Sequence, residues 1–422
     1  MGTRDVWVMG LAGVVWLTAV AAYPQSGAAA LGERLLAEPT VSRAVGAAAT
    51  LEAWVIEQQI ALCQVPAPPF GEARRAEVYR KAMAELGLQQ VRIDAEGNVI
   101  GVRPGRAARP NVVISAHLDT VFPEDTDVSV TRDGPRLRGP GIGDDCRGLA
   151  VLLGVARALQ EHKVETPGTI TFVGTVGEEG LGDLRGVKHL FATSLAGQVD
   201  RFVSIDGNGI GIVNGGVGSR RYRVTFSGPG GHSYGAFGMA NPVHAMGRAI
   251  ATLSDLRVPA RPRTTFNVGR VGGGTSVNAI AFESWMEVDL RSESPDALAD
   301  LDRRFADAVA AAITAENGRW SNPVTVSVET KLVGYRPAGR TSDTADIVVT
   351  ALSVNRALGL VAELGTSSTD ANTPMSLGIP AITIGGGGRG QGAHSLEEEF
   401  DTTGSADGTR RAILLSVALA QR

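Results

Sequence analysis

Short apolar runs are the most regular pattern along this chain. They cover residues 111–117, 169–176, 202–205 and 381–384. Such runs are typical of strands that are buried on both faces of a parallel sheet. Each run leads, directly or through a short loop, into a histidine or a carboxylate. The pattern therefore predicts an α/β fold with polar side chains at the carboxyl ends of parallel strands, where such sheets bind ligands.

Apolar residues at helical spacing lie between these strands. Residues 50–64 show this spacing, and a proline-rich cluster at residues 65–69 ends it. A second helix is predicted over residues 74–86, and extended residues 91–102 then lead into the first apolar run. A third helix is predicted over residues 149–159, directly after two adjacent aspartates.

The pattern changes between residues 215 and 332, which alternate between strand-like and helical segments. Strands are predicted at residues 221–227, 264–271, 281–290 and 323–329, and helices at residues 242–256 and 295–315 with caps at Asn241 and Ser294. The order β-α-β-β-α-β is the ferredoxin-like pattern. We therefore predict an α+β domain at residues 215–332, inserted into a catalytic domain of residues 31–214 and 333–422.

Composition limits the kinds of partner and site. The 422 residues carry a formal net charge of -4, so the chain lacks the basic footprint of a nucleic-acid-binding protein. The chain has two cysteines, Cys63 and Cys146, which form neither a CxxC motif nor a cysteine zinc site. Any zinc must therefore be bound by histidines and carboxylates.

The first residues are predicted to be a targeting segment. An uncharged apolar run at residues 6–22 follows Arg4 and contains Ala19 and Ala21, the small residues of a cleavage site. We predict a signal peptide at residues 1–22 and export to the periplasm or the medium. The alternative is an uncleaved membrane anchor, because the run approaches the length that spans a bilayer.

Two of the polar clusters have a clear chemical interpretation. Residues i and i+2 of an extended chain point the same way, so Asp119 is placed to hydrogen-bond the imidazole of His117. Asp144 and Asp145 stand at a helix N-terminus after a glycine-rich loop. Two aspartates would repel a phosphate there and suit a divalent cation instead, with Asp145 as the predicted helix cap.

The other apolar runs deliver the same kinds of side chain. Glu178 and Glu179 follow the second run, Asp206 follows the third, and His394 comes after the glycine-rich loop that follows the fourth. Histidine and carboxylate ligands select zinc, manganese or cobalt, and not copper(I) or an iron–sulfur cluster.

These motifs resemble metallopeptidase family 20, the zinc hydrolases that include acetylornithine deacetylase, glutamate carboxypeptidases, peptidase V and peptidase T. The resemblance implies a zinc-exopeptidase catalytic domain with a mostly parallel sheet, and an inserted dimerisation or lid domain that makes a homodimer. It also implies two divalent metal ions, most simply Zn²⁺, with Mn²⁺ or Co²⁺ as alternatives. Their ligands would be His117 and Asp206 for one ion, Glu179 and His394 for the other, and Asp144 as the bridge.

The resemblance assigns further roles. Asp119 would orient His117, and Glu178 would be the general base that activates a water shared by the metals. His232 would reach across a dimer interface to stabilise the oxyanion. Asn278 and Arg291 match positions that contact substrate, although a turn asparagine and a surface arginine are equally good explanations.

Asp206 and the segment 365–370 resemble peptidase T relatives more than deacylases. We therefore expect an exported aminopeptidase acting on di- or tripeptides, with an N-acyl amino acid deacylase or a carboxypeptidase as the alternative. A serine hydrolase is the distant alternative, because Ser233 lies in a G-x-S-x-G motif that Asp370 and His394 follow. A catalytically inactive binding protein is less expected, because the full set of ligands and Glu178 are present.

Overall fold

The computed structural model of the protein describes residue 28 and residues 30–421. The predicted signal peptide lies outside this part of the chain. Within it, no helix is both long and apolar enough to cross a membrane. The helices are α1 (Leu31–Leu36), α2 (Pro39–Cys63), α3 (Ala73–Glu85), α4 (Cys146–Glu161), α5 (Arg185–His189), α6 (Pro242–Ser254), α7 (Pro295–Gly318), α8 (Asp346–Ala357), α9 (Asn372–Ser376) and α10 (Ala406–Leu419).

The strands form one large sheet, one antiparallel sheet in the inserted region and two small sheets. They are β1 (Gln89–Ile93), β2 (Val99–Arg103), β3 (Asn111–His117), β4 (Thr131–Asp133), β5 (Arg136–Arg138), β6 (Thr169–Thr175), β7 (Arg201–Ile205), β8 (Ile212–Gly216), β9 (Gly218–Ser227), β10 (Gly231–His232), β11 (Thr264–Gly273), β12 (Ala279–Ile280), β13 (Glu283–Ser292), β14 (Ser327–Arg336), β15 (Gly339–Arg340), β16 (Leu364–Ser367), β17 (Ala381–Ile384), β18 (Arg389–Gln391) and β19 (Glu399–Asp401).

The large sheet has the order β1-β2-β6-β3-β7-β17-β8-β15, with β16 paired to β8. Its four central strands, β6, β3, β7 and β17, run parallel, and antiparallel strands flank them. Every residue of β3 and β6 is buried. Ile114 packs into the core formed by α2, α4 and α10, while Val113 packs on the opposite face. Continuous apolar strands covered on both faces confirm the predicted fold class.

Helix α4 carries the two aspartates to the edge of this sheet. The Asp145 carboxylate accepts a hydrogen bond from the Gly148 amide at 3.0 Å, as predicted for the helix cap. Its other oxygen accepts from the His117 amide at 3.1 Å. Asp145 therefore joins the start of α4 to the end of β3 and points Asp144 toward the ends of the strands.

The inserted region forms its own antiparallel sheet with the order β11-β13-β9-β14, the ferredoxin-like arrangement. Helices α6 and α7 cover one face, and their caps are Asn241 and Ser294 as predicted. Buried and less buried residues alternate along β13, so the sheet has one core face and one outer face. The core face contributes Val224, Phe226 and Met286 to a second hydrophobic core, separate from that of the large sheet.

Three predicted elements differ from the structure. Helix α2 begins at Pro39 and not at Thr50, because the buried residues Val41, Ala44, Val45 and Ala48 continue its apolar face. Residues 91–102 are two antiparallel strands, since the Asp94 carboxylate accepts amide hydrogen bonds in a tight turn at residues 94–98. The last inserted strand is β14 and not residues 323–329, because its pairing with β9 continues past an irregularity near Leu332. The inserted sheet therefore extends beyond the predicted boundary at residue 332 to Arg336.

Candidate metal centre

The parallel strands deliver the predicted ligands to one edge of the large sheet. His117 is the last residue of β3, and Glu178 and Glu179 follow β6, its neighbour. Asp206 follows β7, and His394 follows β17 through a glycine-rich loop. Because parallel neighbours end at the same edge, side chains that are distant in sequence meet there.

The Asp144 carboxylate lies between the two histidines. Its Oδ1 is 3.0 Å from Nε2 of His117, and its Oδ2 is 3.2 Å from Nε2 of His394. Nε2 of His394 is also 2.8 Å from Oε1 of Glu179. One oxygen of Asp144 thus faces each histidine, which is the arrangement required of a bridging ligand.

Ligand atoms of these residues form groups in which all atoms lie within 4.8 Å of one another. One group is His117, Asp144 and Asp206, and another is Asp144, Glu179 and His394. Asp144 belongs to both, so the groups coincide with the two ligand sets that the resemblance implies. The assignment of each residue to a metal stays a prediction. A further group joins His117 and Glu179 to Glu178, so the predicted base also lies beside the cluster.

The charges of the cluster fit divalent cations. Burial, and then repulsion from Asp144, raise the pKa of Asp206 to about 7. Hydrogen bonds to Asp144 and Glu179 raise the pKa of His394 to about 10. Carboxylates crowded into a buried space need a compensating positive charge, which metal ions supply in histidine–carboxylate sites of this kind. The donor set therefore suits zinc or a similar ion.

Asp119 contacts His117, and it also contacts the glutamate pair. Its carboxylate lies 3.7 Å from Nδ1 of His117, and its main-chain carbonyl is the group within hydrogen-bond distance of that nitrogen, at 3.0 Å. The carboxylate accepts from the amides of Glu178 and Glu179 at 3.0 and 2.7 Å. Because β3 ends at His117, Asp119 lies just beyond the regular strand, next to the segment that follows β6. Asp119 therefore holds both the imidazole and the glutamate pair, each through a different group.

The predicted base Glu178 has a partner that the sequence did not indicate. Nη1 of Arg336 is 2.9 Å from Oε1 of Glu178 and 3.0 Å from Oγ of Ser368, and Nη2 donates to the main-chain carbonyl of Glu178. Burial raises the pKa of Glu178 well above its usual value, and the Arg336 charge opposes that rise. Arg336 is 5% exposed, so this ion pair is almost fully removed from water.

Glu398 is a second residue that the sequence did not indicate. Its carboxylate accepts from the amides of Gly141, Gly143 and Asp144 at 2.8 to 3.0 Å. Glu398 is 1% exposed, and burial raises its pKa to about 7. It therefore fixes the loop that presents Asp144. In the sequence it belongs to a run of three glutamates that reads as surface charge.

The two cysteines are free thiols on the inner side of the same loop. Both are buried, and Sγ of Cys63 is 3.3 Å from the Pro140 carbonyl. Cys146 is the first residue of α4, next to the paired aspartates. They pack with Ile56, Leu137, Ile142 and Phe400, so they support the loop from the core side.

His232, Asn278 and Arg291 lie on the inserted domain. Nδ1 of His232 accepts from the amides of the two residues after Ser233, and the Asn278 carbonyl accepts from the Ser233 amide at 2.9 Å. Nε of Arg291 is 2.7 Å from Asp289. The hydrogen bonds described for these three residues are thus made within their own domain, and their roles toward substrate stay predictions.

The contacts do not assemble a serine triad. Nε2 of His394 contacts Asp144 and Glu179, and the Asp370 carboxylate accepts from Thr175. Ser233 lies in a turn after the two-residue strand β10, and the next helix begins at Pro242. A nucleophile elbow needs a strand that passes directly into a helix, so the G-x-S-x-G match is a coincidence of sequence.

Comparisons with known proteins agree with this architecture. The uncharacterized protein YqjE of Bacillus subtilis (strain 168) is 25% identical over 348 residues, which cover 78% of this chain and 89% of YqjE. The crystal structure of aminopeptidase PepT from Bacillus cereus has a TM-score of 0.71 at 21% identity, covering 88% of this chain and 99% of PepT. A tripeptidase from Staphylococcus aureus has a TM-score of 0.72 at 22% identity, covering 87% and 98%. At these identities the two crystal structures show a shared fold.

A model of peptidase family M20/M25/M40 matches residues 113–415. The match spans more than half of the chain and includes every predicted metal ligand, from His117 to His394. The family and the structural neighbours together indicate a hydrolase of the metallopeptidase and amidohydrolase class. The chain therefore belongs to peptidase family M20/M25/M40.

Proposed function

We propose that this protein is a dinuclear zinc aminopeptidase that hydrolyses di- or tripeptides outside the cytoplasm. The observation that carries the proposal is the position of Asp144, whose two oxygens face His117 and His394 and which belongs to two separate ligand groups. A carboxylate shared in this way suits a pair of metal ions, which two-metal hydrolases hold about 3.5 to 4 Å apart.

Glu178 is the general base in this proposal. It lies beside the ligand Glu179, and its carboxylate is fixed by Arg336 at 2.9 Å. Metal ions held by the cluster would supply an acidified water and a polarised scissile carbonyl. Glu178 would take a proton from the attacking water and deliver it to the leaving amine. His232, supplied by a partner subunit, stabilises the oxyanion of the tetrahedral intermediate.

The preference for a free amino terminus has two supports. The first is the likeness of Asp206 and residues 365–370 to peptidase T relatives. The second is that PepT and the Staphylococcus aureus protein are described as an aminopeptidase and a tripeptidase. An N-acyl amino acid deacylase or a carboxypeptidase is the second candidate, because the same ligand set serves hydrolysis of any amide.

Metal removal and a matched substrate pair test the proposal. We expect chelation to abolish hydrolysis of a free dipeptide and added zinc to restore it, with little hydrolysis of the N-acetylated dipeptide. The physical reason is that both the water and the carbonyl depend on the metals. Restored hydrolysis of the acetylated substrate alone would move the protein to the deacylases. Activity that survives chelation would overturn the metal assignment.

Dimerisation through the inserted domain is part of the proposal. Large apolar side chains are exposed around β10 and β12, namely Tyr234, Phe237, Val277 and Phe282. We expect Val277→Asp to convert a dimer into a monomer, because the change places a charge in this exposed apolar patch. The core of the monomer should stay intact, because Val277 is fully exposed. Sedimentation velocity measures the change. Val361→Asp, at a site 85% exposed on the catalytic domain, is the matched control and should leave the dimer unchanged.

Export is the last part of the proposal, and it rests on the sequence pattern of residues 1–22. We expect the full-length chain to appear in the periplasm or the medium and a chain lacking residues 1–22 to stay in the cytoplasm. Cell fractionation followed by N-terminal sequencing distinguishes cleavage from an uncleaved anchor. An unprocessed chain in the membrane fraction would contradict the signal-peptide interpretation.

A further inference from the structure

The loop that carries Glu178 and Glu179 has an unusual backbone. Within the segment 177–184, Gly177 and Gly180 adopt left-handed conformations, and so do Asp183 and Leu184, at φ values of 54° and 58°. Side-chain-bearing residues rarely adopt this region and need surrounding contacts to hold them there. The conformation of this loop is therefore set by its neighbours.

The catalytic domain holds the amide side of the loop. The Asp119 carboxylate accepts from the main-chain N–H groups of Glu178 and Glu179, and Asp119 is fully buried. These two hydrogen bonds leave the carbonyl groups of the loop to be satisfied by other partners.

The inserted domain holds the carbonyl side. Nη1 of Arg221, on β9, donates to the Gly180 carbonyl at 2.7 Å. Arg336, at the end of β14, donates to the carbonyl and the carboxylate of Glu178. The amide of Tyr335, also on β14, donates to Asp183 at 2.7 Å. Two strands of the inserted sheet thus contact the loop at three points between Glu178 and Asp183.

We propose that Arg221 is a positioning residue for the Glu178–Glu179 pair, through which the inserted domain sets the geometry of the metal centre. The inference rests on the proposed function, because it concerns the same ligands and base. Arg221 contacts the residue directly after Glu179, and it is oriented by Asp289, whose Oδ1 is 3.5 Å from its Nε. A displacement of the inserted sheet therefore moves the loop that carries one ligand and the base together.

Arg221 offers a clean test because its removal leaves few groups unpaired. Asp289 keeps its ion pair with Arg291 at 2.7 Å when Arg221 is replaced by alanine. Arg223 is a matched control two residues along the same strand and on the same face. It pairs with Glu287 at 2.9 Å and lies 4.0 Å from the ring centre of Trp285. Both contacts are within the inserted domain.

The experiment measures zinc binding by calorimetry and steady-state kinetics on the full chain. We expect Arg221→Ala to weaken one of two zinc equivalents about 10- to 100-fold and leave the other unchanged, since residues that orient metal ligands have effects of this size. We expect kcat to fall by a similar factor with KM within about twofold, because misplacement of the base affects the reaction more than substrate binding. Arg221→Lys should restore much of both, because an ammonium can also donate to the Gly180 carbonyl.

The outcomes separate this inference from the function on which it rests. Wild-type zinc binding and kcat in Arg221→Ala would overturn the positioning role while leaving the proposed function intact. An equal loss in Arg223→Ala would also overturn it, because the effect would then come from the sheet as a whole. A wild-type chain that binds no zinc would instead refute the proposed function, and the positioning role with it.

Discussion

Replacement of Glu178 by glutamine should reduce kcat by roughly 10²- to 10⁴-fold, the usual contribution of a general base. Glutamine keeps the size of the side chain and a carbonyl oxygen that can accept from Arg336, which is 2.9 Å from Oε1 of Glu178. The change therefore removes the ability to accept a proton and little else. Steady-state kinetics on a free dipeptide measures the loss, and calorimetry should show two zinc equivalents still bound.

The matched control is Glu397→Gln, at an exposed glutamate three residues after His394. It removes a negative charge near the same edge of the sheet without touching the cluster. Equal losses in the two variants would point to the general electrostatic field and not to proton transfer. A Glu178→Gln variant that has lost zinc would show that Glu178 is a ligand, in agreement with its proximity to His117 and Glu179.

The sequence predicted those parts of the site whose positions depend on adjacent residues. His117, the glutamate pair and Asp206 each come directly after an apolar run, so their place at the end of a strand follows from the run itself. Asp145 also follows from local pattern, because a carboxylate before an apolar helical segment commonly caps it. The fold class and the caps of α6 and α7 were predicted for the same reason, since each depends on adjacent residues.

The parts that the sequence did not reveal depend on long-range contacts. Arg336 is 158 residues from Glu178, and Glu398 is more than 250 residues from the loop that it holds. An isolated arginine or a run of glutamates carries no information about which distant backbone it will meet. Asp119 shows a finer limit, because its spacing predicts the contact with His117 but not the hydrogen bonds that its carboxylate accepts from the amides of Glu178 and Glu179.

Arg336 and Arg221 connect the inserted domain to the loop beside the predicted ligands, although the two domains have separate hydrophobic cores. The hydrophobic core of the insert and that of the large sheet are distinct, so packing alone would allow the two to move independently. Charged hydrogen bonds from β9 and β14 to the segment 177–184 join them at the loop that carries the predicted base. Such bonds are directional, so they transmit position more specifically than apolar contacts do.

Replacement of Asp144 by asparagine is expected to have the largest effect on the metal centre. Asparagine keeps the shape of the side chain but loses the charge and one of the two acceptor oxygens. It can therefore no longer place a carboxylate oxygen in both ligand groups, the one with His117 and the one with His394. We expect at least one zinc equivalent to be lost at micromolar zinc and kcat/KM to fall by at least about 10³-fold, because a catalytic metal supplies several kcal/mol of transition-state stabilisation.

The control for this variant is Asp401→Asn, at a partly exposed aspartate whose carboxylate accepts from the Thr403 amide at 2.8 Å. It should bind two zinc equivalents and keep its activity. The fold of the Asp144 variant should persist, because Asp145 still caps α4 and Glu398 still accepts from the amide of residue 144. Thermal unfolding checks this point. If Asp144→Asn keeps both zinc equivalents and its activity, Asp144 is not the bridge, and the division of the cluster into two ligand sets around it is wrong.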